Sequence, residues 1–152
     1  MYMTNMQPTY TTRAAELKDI IFFYEAICAL TAINIDIVAF NAQFKTRLKE
    51  KGSKQLVLEA DGKIIVGCVL AQVRQNLSDT SPFVEIQELY ILPKFRKLKA
   101  ADFIYSALEA HFLKQKINQL RVNCNINSTL NQNFYVKKGY KIFKKQYKKE
   151  AN

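Results

Sequence analysis

Residues 84–101 read VEIQELYILPKFRKLKAA, and no other stretch narrows the possible folds as far. An extended, Ile- and Tyr-rich segment carrying Glu85 and Glu88 runs into Pro93. A basic turn follows, and Ala100 opens an apolar-periodic helix. A strand end, a turn and a helix start in that order form a cradle for an anion. The first N–H groups of the helix have no partner inside it, and the helix dipole adds to their attraction. A second segment, NFYVKKGY at 133–140, brings a phenol, Tyr135, into a short helical stretch.

Spacing elsewhere predicts the remaining elements. Thr9–Thr12 suits a short first strand. A helix begins at Thr12 or in the Arg13 region, with Leu17, Ile20, Ile21, Tyr24, Ile27 and Cys28 recurring at helical period. A second helix fits Asp36 to Lys51, capped by Asp36 and stopped by Gly52. Gln55–Ala60 and Lys63–Val73 read as strands joined by Asp61-Gly62, a strong hairpin signal. Gln75–Pro82 is a polar loop and Phe83–Leu92 a strand. Ala100–Lys116 is helical, Leu120–Asn125 a strand, and Ser128–Lys138 a short helix with Ser128 as a plausible cap. Tyr140–Tyr147 is expected to be a final basic strand. The order β-α-α-β-β-β-α-β-α-β describes an α/β (α+β) sandwich with a mixed, mostly antiparallel sheet flanked by helices.

The chain has 152 residues, of which 49% are hydrophobic. That favours one domain, residues 1–152, with its own core, and excludes a disordered chain. The N-terminus lacks the pattern of a signal peptide, and no apolar run approaches the roughly 18 residues that span a bilayer. The expected setting is cytoplasmic, without membrane contact. Cys28, Cys68 and Cys124 are widely spaced and odd in number, so they read as reduced thiols in apolar surroundings, with neither a disulfide framework nor a metal site. The net charge of +10 is unevenly placed. Residues 1–92 hold 9 Lys+Arg and 10 Asp+Glu, whereas residues 93–152 hold 14 Lys+Arg and 3 Asp+Glu. The excess begins at the basic turn, and a field of that sign recruits polyanions.

Element order and motifs together resemble the GNAT superfamily of acetyl-CoA-dependent N-acetyltransferases, over Thr9 to about Tyr147. The family pattern hydrophobic-x-Pro-x-aromatic-Arg/Gln-x-x-Gly-x-Gly/Ala is met by Ile91, Pro93, Phe95, Arg96 and Ala101. Lys99 stands where the family has its first glycine. The second pattern is met at Asn131, Phe134, Tyr135, Gly139 and Tyr140, with Ser128 where a leading Asn is common.

The resemblance implies acetyl-CoA as cosubstrate and a primary amine as acceptor, with no metal. It implies that Arg96, Lys97, Leu98, Lys99, Ala100 and Ala101 hold the pyrophosphate, and that Asn131, Phe134 and Lys138 complete the cofactor site. It also implies that the strands Phe83–Leu92 and Leu120–Asn125 splay, so that the pantetheine arm bonds backbone near Leu89, Tyr90 and Ile91 like an added strand. Lys99 limits conformational freedom if the turn needs a positive φ, yet its ammonium adds a phosphate contact.

For catalysis, the resemblance implies a backbone N–H near Leu89 or Tyr90 as oxyanion donor. It makes Tyr135 the proton donor to the leaving thiolate, since a phenol of pKa about 10 is protonated at neutral pH. A carboxylate on the strand before the turn takes a proton from the ammonium. Regular alternation puts Glu85 and Glu88 on opposite faces, although a bulge changes that, and Glu88 is preferred because it lies nearer the thioester. His111 reads as structural. The acceptor pocket is expected among residues 22–50, with Phe22, Phe23, Tyr24 and Phe40 as apolar candidates, and along the Gln75–Pro82 loop. A homodimer is compatible with the resemblance.

Two other readings stay open. Lys99 motivates a non-catalytic, CoA-binding sensor. The lysines and aromatics interleaved over 134–147 motivate RNA binding, or an enzyme whose acceptor is a charged tRNA. Direct nucleic-acid binding is the weaker of these, because Lys141 breaks the RNP1 pattern.

Overall fold

The structure is a computed structural model that describes residues 7–78 and 80–151. It divides into two compact units, one running to Val122 and one from Asn123.

The first unit is built on a five-stranded sheet in the order β1-β2-β3-β4-β5. The strands are β1 (Tyr10–Ala14), β2 (Ser53–Ala60), β3 (Ile64–Gln75), β4 (Pro82–Ile91) and β5 (Leu120–Val122). Pairing is antiparallel except between β4 and β5, which run parallel. The helices are α1 (Ile20–Thr31), α2 (Ile37–Lys49) and α3 (Ala100–Lys114). This mixed, mostly antiparallel sheet with flanking helices is the fold class expected.

Local chemistry accounts for the joints. Asp36 caps α2, its Oδ1 accepting from the Val38 N–H at 3.1 Å. Asp61 and Gly62 both take positive φ, 54° and 65°, in the primed turn that matches the twist of the β2–β3 hairpin.

Phe23, Ala26, Phe44, Val57, Cys68 and Leu70 form a buried cluster between α1, α2 and one face of the sheet. Helix α3 packs against β1, β2, β3 and β4. Ala100, Ile104, Tyr105, Leu108 and Phe112 are its buried residues, and Leu56, Leu58, Val69 and Ala71 are buried on the alternate positions of β2 and β3. No helix among the described residues is long and apolar enough to cross a membrane.

Several boundaries differ from expectation, among them the end of β5, which stops at Val122 and not at Asn125. The first helix starts at Ile20, after a 3-10 turn over Leu17–Asp19, because β1 continues to Ala14, which pairs with Leu56. Arg13 is held there: its Nη1 and Nη2 donate to Asp19 at 2.8 and 2.9 Å, and its Nε donates to Glu59 at 2.7 Å.

The second unit contains α4 (Thr129–Lys137), which Gly139 follows. Ser128 occupies the N-cap position without a side-chain capping bond. The final strand expected over Tyr140–Tyr147 does not form; these residues carry no strand among the described residues. Their apolar side chains Ile142, Phe143 and Tyr147 are exposed. A strand needs a ladder, and alternation of residue types alone does not supply one.

Candidate functional site

The site begins with one extra residue in β4. Residues 84–86 pair with Val73, Gln72 and Ala71, and residues 88–91 pair with Leu70, Val69, Cys68 and Gly67. Gln87 is left over as a bulge. The Val84 N–H donates to Gln119 at 2.9 Å, toward β5, whereas the Leu92 N–H donates to Val66 at 2.8 Å, toward β3. The bulge thus reverses which residues face which neighbour. Beyond it, Glu88 and Tyr90 turn their peptide groups to β3, and Leu89 and Ile91 turn theirs to the other side.

That other side has no strand. Pairing of β4 with β5 stops at Ile86 and Val122. From Gln87 to Ile91 the edge of β4 is left without a strand partner among the described residues. Gly67 lets β3 and β4 stay close here, since a Cβ at that position would stand 2.9 Å from the Tyr90 carbonyl oxygen.

The edge runs straight into the turn. Arg96 folds back on it, donating from Nε to the Ile91 carbonyl at 3.0 Å. Its guanidinium carbon lies 5.6 Å from the centre of the Tyr90 ring. Arg96 therefore fastens the turn to the strand. The Leu98 carbonyl accepts from the Tyr10 hydroxyl at 2.9 Å and from Gln7 Nε2 at 3.1 Å. Lys99 is the N-cap of α3, with φ 61° and ψ 19° and no side-chain capping bond. The left-handed conformation that a glycine would take freely is thus adopted by a lysine. The Ala100 and Ala101 N–H groups lie ahead of any carbonyl four residues back in the helix. Lys97 and Lys99 are exposed, Leu98 and Ala101 are half-buried, and Ala100 is fully buried. An uncapped helix start with small residues and exposed ammonium groups fits a diphosphate.

On the α1/α2 face, Glu88 opens into a cleft of about 310 Å³ lined by Ile27, Phe40, Gln43, Phe44, Arg47, Leu70, Gln87 and Glu88. Burial raises the Glu88 carboxyl above the usual carboxylate range. Burial, and secondarily the charge of Glu88, raises the Cys68 thiol, keeping it protonated. Glu85 sits outside this cleft and pairs with Arg74 at 3.1 Å. Of the expected apolar candidates, Phe40 lines the cleft and Phe23 belongs to the core. Phe22 packs edge-on to Tyr90, with ring centres 6.4 Å apart. Tyr24 donates to the Ile35 carbonyl at 2.7 Å. The Gln75–Pro82 loop takes no part in the lining.

Sequence reasoning missed Arg47 and Gln43. The signal was present: Arg47 stands seven residues after Phe40 and three after Phe44, a charged residue on the apolar face of α2.

In the second unit, Tyr135 is buried, with its ring 5.2 Å from Phe134 and 5.2 Å from Tyr140. Lys138 Nζ lies 5.5 Å from the centre of the Phe134 ring, and Asn131 is exposed. His111 meets Gln115 at 3.0 Å and stacks edge-on to Phe112. Burial first, then Lys54 and Lys114, lower its basicity. The described residues hold no group of three or more His, Cys, Asp or Glu able to bind a metal.

Solved structures share this architecture. An aminoglycoside N-acetyltransferase, AAC(6')-Iy, determined in complex with CoA, matches with a TM-score of 0.82 at 16% identity over 98% of this chain and 99% of its own. A possible acetyltransferase from Clostridium difficile 630 matches with a TM-score of 0.79 at 15% identity over 94% of this chain and 98% of its own. A protein described as a transcriptional regulator from Bacillus halodurans C-125 matches with a TM-score of 0.83 at 15% identity over 94% of this chain and all of its own, 100%. No curated protein matches the chain by sequence. The family model for the acetyltransferase (GNAT) domain matches residues 29–151, and the chain belongs to that family.

Proposed function

We propose that this protein is an acetyl-CoA-dependent N-acetyltransferase acting on a primary amine. The observation that carries the reading is continuous: a strand edge freed by the Gln87 bulge leads into an uncapped helix N-terminus, and the same bulge aims Glu88 into a cleft. When bound, acetyl-CoA supplies the acetyl group as a thioester and departs as the thiol.

The chain's own residues take the following parts. Peptide groups of Leu89 and Ile91 bond the pantetheine arm as a neighbouring strand would. The Leu89 N–H, facing the open edge, is the oxyanion donor; the Tyr90 N–H is directed to β3 and is not available. Amides of Lys97, Lys99, Ala100 and Ala101 receive the diphosphate, assisted by the Lys99 ammonium, whereas the Leu98 N–H is engaged by the Phe95 carbonyl at 3.1 Å. Arg96 keeps the turn in place. Glu88 holds the acceptor ammonium and removes its proton, and its raised pKa brings it closer to that task than a solvated carboxylate would be. Tyr135 gives the leaving thiolate its proton, and Asn131, Phe134 and Lys138 serve the coenzyme; these four roles rest on the motif they match.

The aminoglycoside N-acetyltransferases among the similar structures make aminoglycosides one class to test. Thiol release from acetyl-CoA should be measured over a panel of amines, beside calorimetric titration with acetyl-CoA. Release that falls about a hundredfold in Tyr135→Phe and in Glu88→Gln is the expected result. Tight coenzyme binding with no release on any amine would replace the enzyme by a non-catalytic CoA-binding relative.

A further inference from the structure

The cleft beside Glu88 contains a group that acetyl transfer does not require. Among the described residues, its charged lining residues are Glu88 and Arg47, accompanied by the amides of Gln43 and Gln87. Arg47 reaches it from the last turn of α2. Its Nη1 donates to Oε1 of Gln87, the bulge residue. Its Nε stands 4.0 Å from Glu50 Oε2, beyond hydrogen-bond length. Glu50 is exposed and is also engaged by Gln72 Nε2 at 3.2 Å, so that ion pair is weak. Nη2 makes no hydrogen bond to a described residue.

One arm of the guanidinium is thus fixed by the bulge, and one edge is left over. A planar donor edge, oriented in advance, matches a carboxylate better than a lone ammonium would. A polycation is poorly served by the same cleft. Among the described residues one carboxylate, Glu88, lines it, and the guanidinium repels any second ammonium. A volume of about 310 Å³ sits at the small end of ligand pockets.

Resting on the acetyltransferase reading, we propose that the acceptor is a small primary amine that also carries a carboxylate. Glu88 meets its ammonium and Arg47 meets its carboxylate. Arg47 is then a specificity-determining residue.

The experiment compares free amino acids, including β-alanine and 4-aminobutyrate, with their carboxamides and with spermidine. It reads thiol release from acetyl-CoA, and separately the calorimetric binding of each amine to the CoA-loaded protein. The expected result is that at least one free amino acid exceeds its carboxamide in kcat/KM by about tenfold or more. Arg47→Gln should erase that ratio through KM, with kcat little changed. Arg47→Lys should keep part of it, and matching thermal melts should show that both variants fold. Spermidine or the carboxamides performing as well as the amino acids would overturn the proposal while leaving acetyl transfer intact. A preference that persists in Arg47→Gln would overturn it too. Arg47-dependent binding of amino acids without any thiol release would uphold the cleft assignment and defeat the acetyltransferase reading instead.

Discussion

Glu85 and Glu88 lie on the same face of the sheet, opposite Gln72 and Leu70, which are two residues apart on β3. Three residues along a regular strand would set them on opposite faces. Gln87, the extra residue, removes the difference. The two carboxylates nevertheless have different surroundings. Glu85 is neutralised by Arg74, and Glu88 enters the cleft with its pKa raised by burial. That raised pKa has a sign that can be tested. The folded protein binds the Glu88 proton more tightly than the unfolded chain does. Its contribution is therefore most favourable below the unfolded value of about 4.3 and is lost as pH rises through the folded one. Glu88→Gln copies the neutral form. The variant should melt higher than the parent at neutral pH, with the gap closing below about pH 4. Turnover should lose the acidic limb of its pH profile, a limb that in the parent sits above the ordinary carboxylate range. Equal melting temperatures at neutral pH would show that burial does not penalise the charge.

Lys99 meets two opposing demands. Its φ of 61° is one that side chains with a Cβ adopt at a cost of about 1–2 kcal/mol, and glycine adopts it freely. Lys99→Gly should therefore raise stability by about 0.5–1 kcal/mol after the entropy of the added glycine is subtracted. The same substitution removes an ammonium from the helix start, so acetyl-CoA should bind more weakly, most visibly at low ionic strength. Lys99→Ala separates the two effects: it loses the charge and keeps the strain. Denaturant melts with calorimetry on all three proteins check this, and a Lys99→Gly protein that is less stable than the parent would refute it.

Gly67 faces Ile91 where β4 prepares to leave the sheet. An added Cβ would come within 2.5 Å of Ile91 Cδ1 and 2.9 Å of the Tyr90 carbonyl oxygen. The methyl end of Ile91 can move, but the carbonyl belongs to the ladder and cannot. Gly67→Ala should cost about 1–3 kcal/mol and displace the edge on which Leu89 and Ile91 sit. Adding Ile91→Val should recover only part of the loss, since it relieves one contact of two. Thermal melts of the single and double variants, with acetyl-CoA titrations, measure both consequences.

The parts of the fold that could be read from sequence are those whose causes are local. The Asp61-Gly62 turn, the Asp36 cap and the run from β4 through Pro93 into α3 each rest on a few neighbouring residues. Lys99 was recognisable as the odd residue in its motif, although its positive φ became visible only with the backbone. Gln87 was not recognisable as a bulge, because an extra residue exists only relative to a partner strand. Arg13 looked like a helix start because the spacing of Leu17, Ile20 and Ile21 extends back to it. Its ion pairs with Asp19 and Glu59 are long-range on one side and decide otherwise. Tyr140–Tyr147 has the residue alternation of a strand and lacks a ladder. Arg47 was missed, although it is a charged residue on an apolar helix face, and its bond to Gln87 joins positions forty apart in the chain.

The pairing of Arg13 with Asp19 sets how this fold should respond to acid. Asp19 is buried, with 3% of its surface exposed, and accepts from both guanidinium arms and from the Glu16 N–H at 2.8 Å. Those donors, the Arg13 hydrogen bonds first, hold its carboxyl below the usual range against the opposing effect of burial. A depressed pKa means that the unfolded chain binds the proton more readily. The stabilisation is therefore complete above an unfolded value of about 3.9 and drains away as pH falls through the folded one. Asp19→Asn removes the charge at every pH and leaves the Arg13 guanidinium without its main counter-charge. It should cost about 2–3 kcal/mol at neutral pH, the lower side of what breaking a buried pair costs, because Arg13 remains partly in water. The penalty should shrink as the pH falls below about 3.9 and through the lower folded value, where the parent loses the same interaction. Urea melts of both proteins between pH 2 and 7 test this, and curves that stay parallel across that range would show that Asp19 is not held ionised by Arg13.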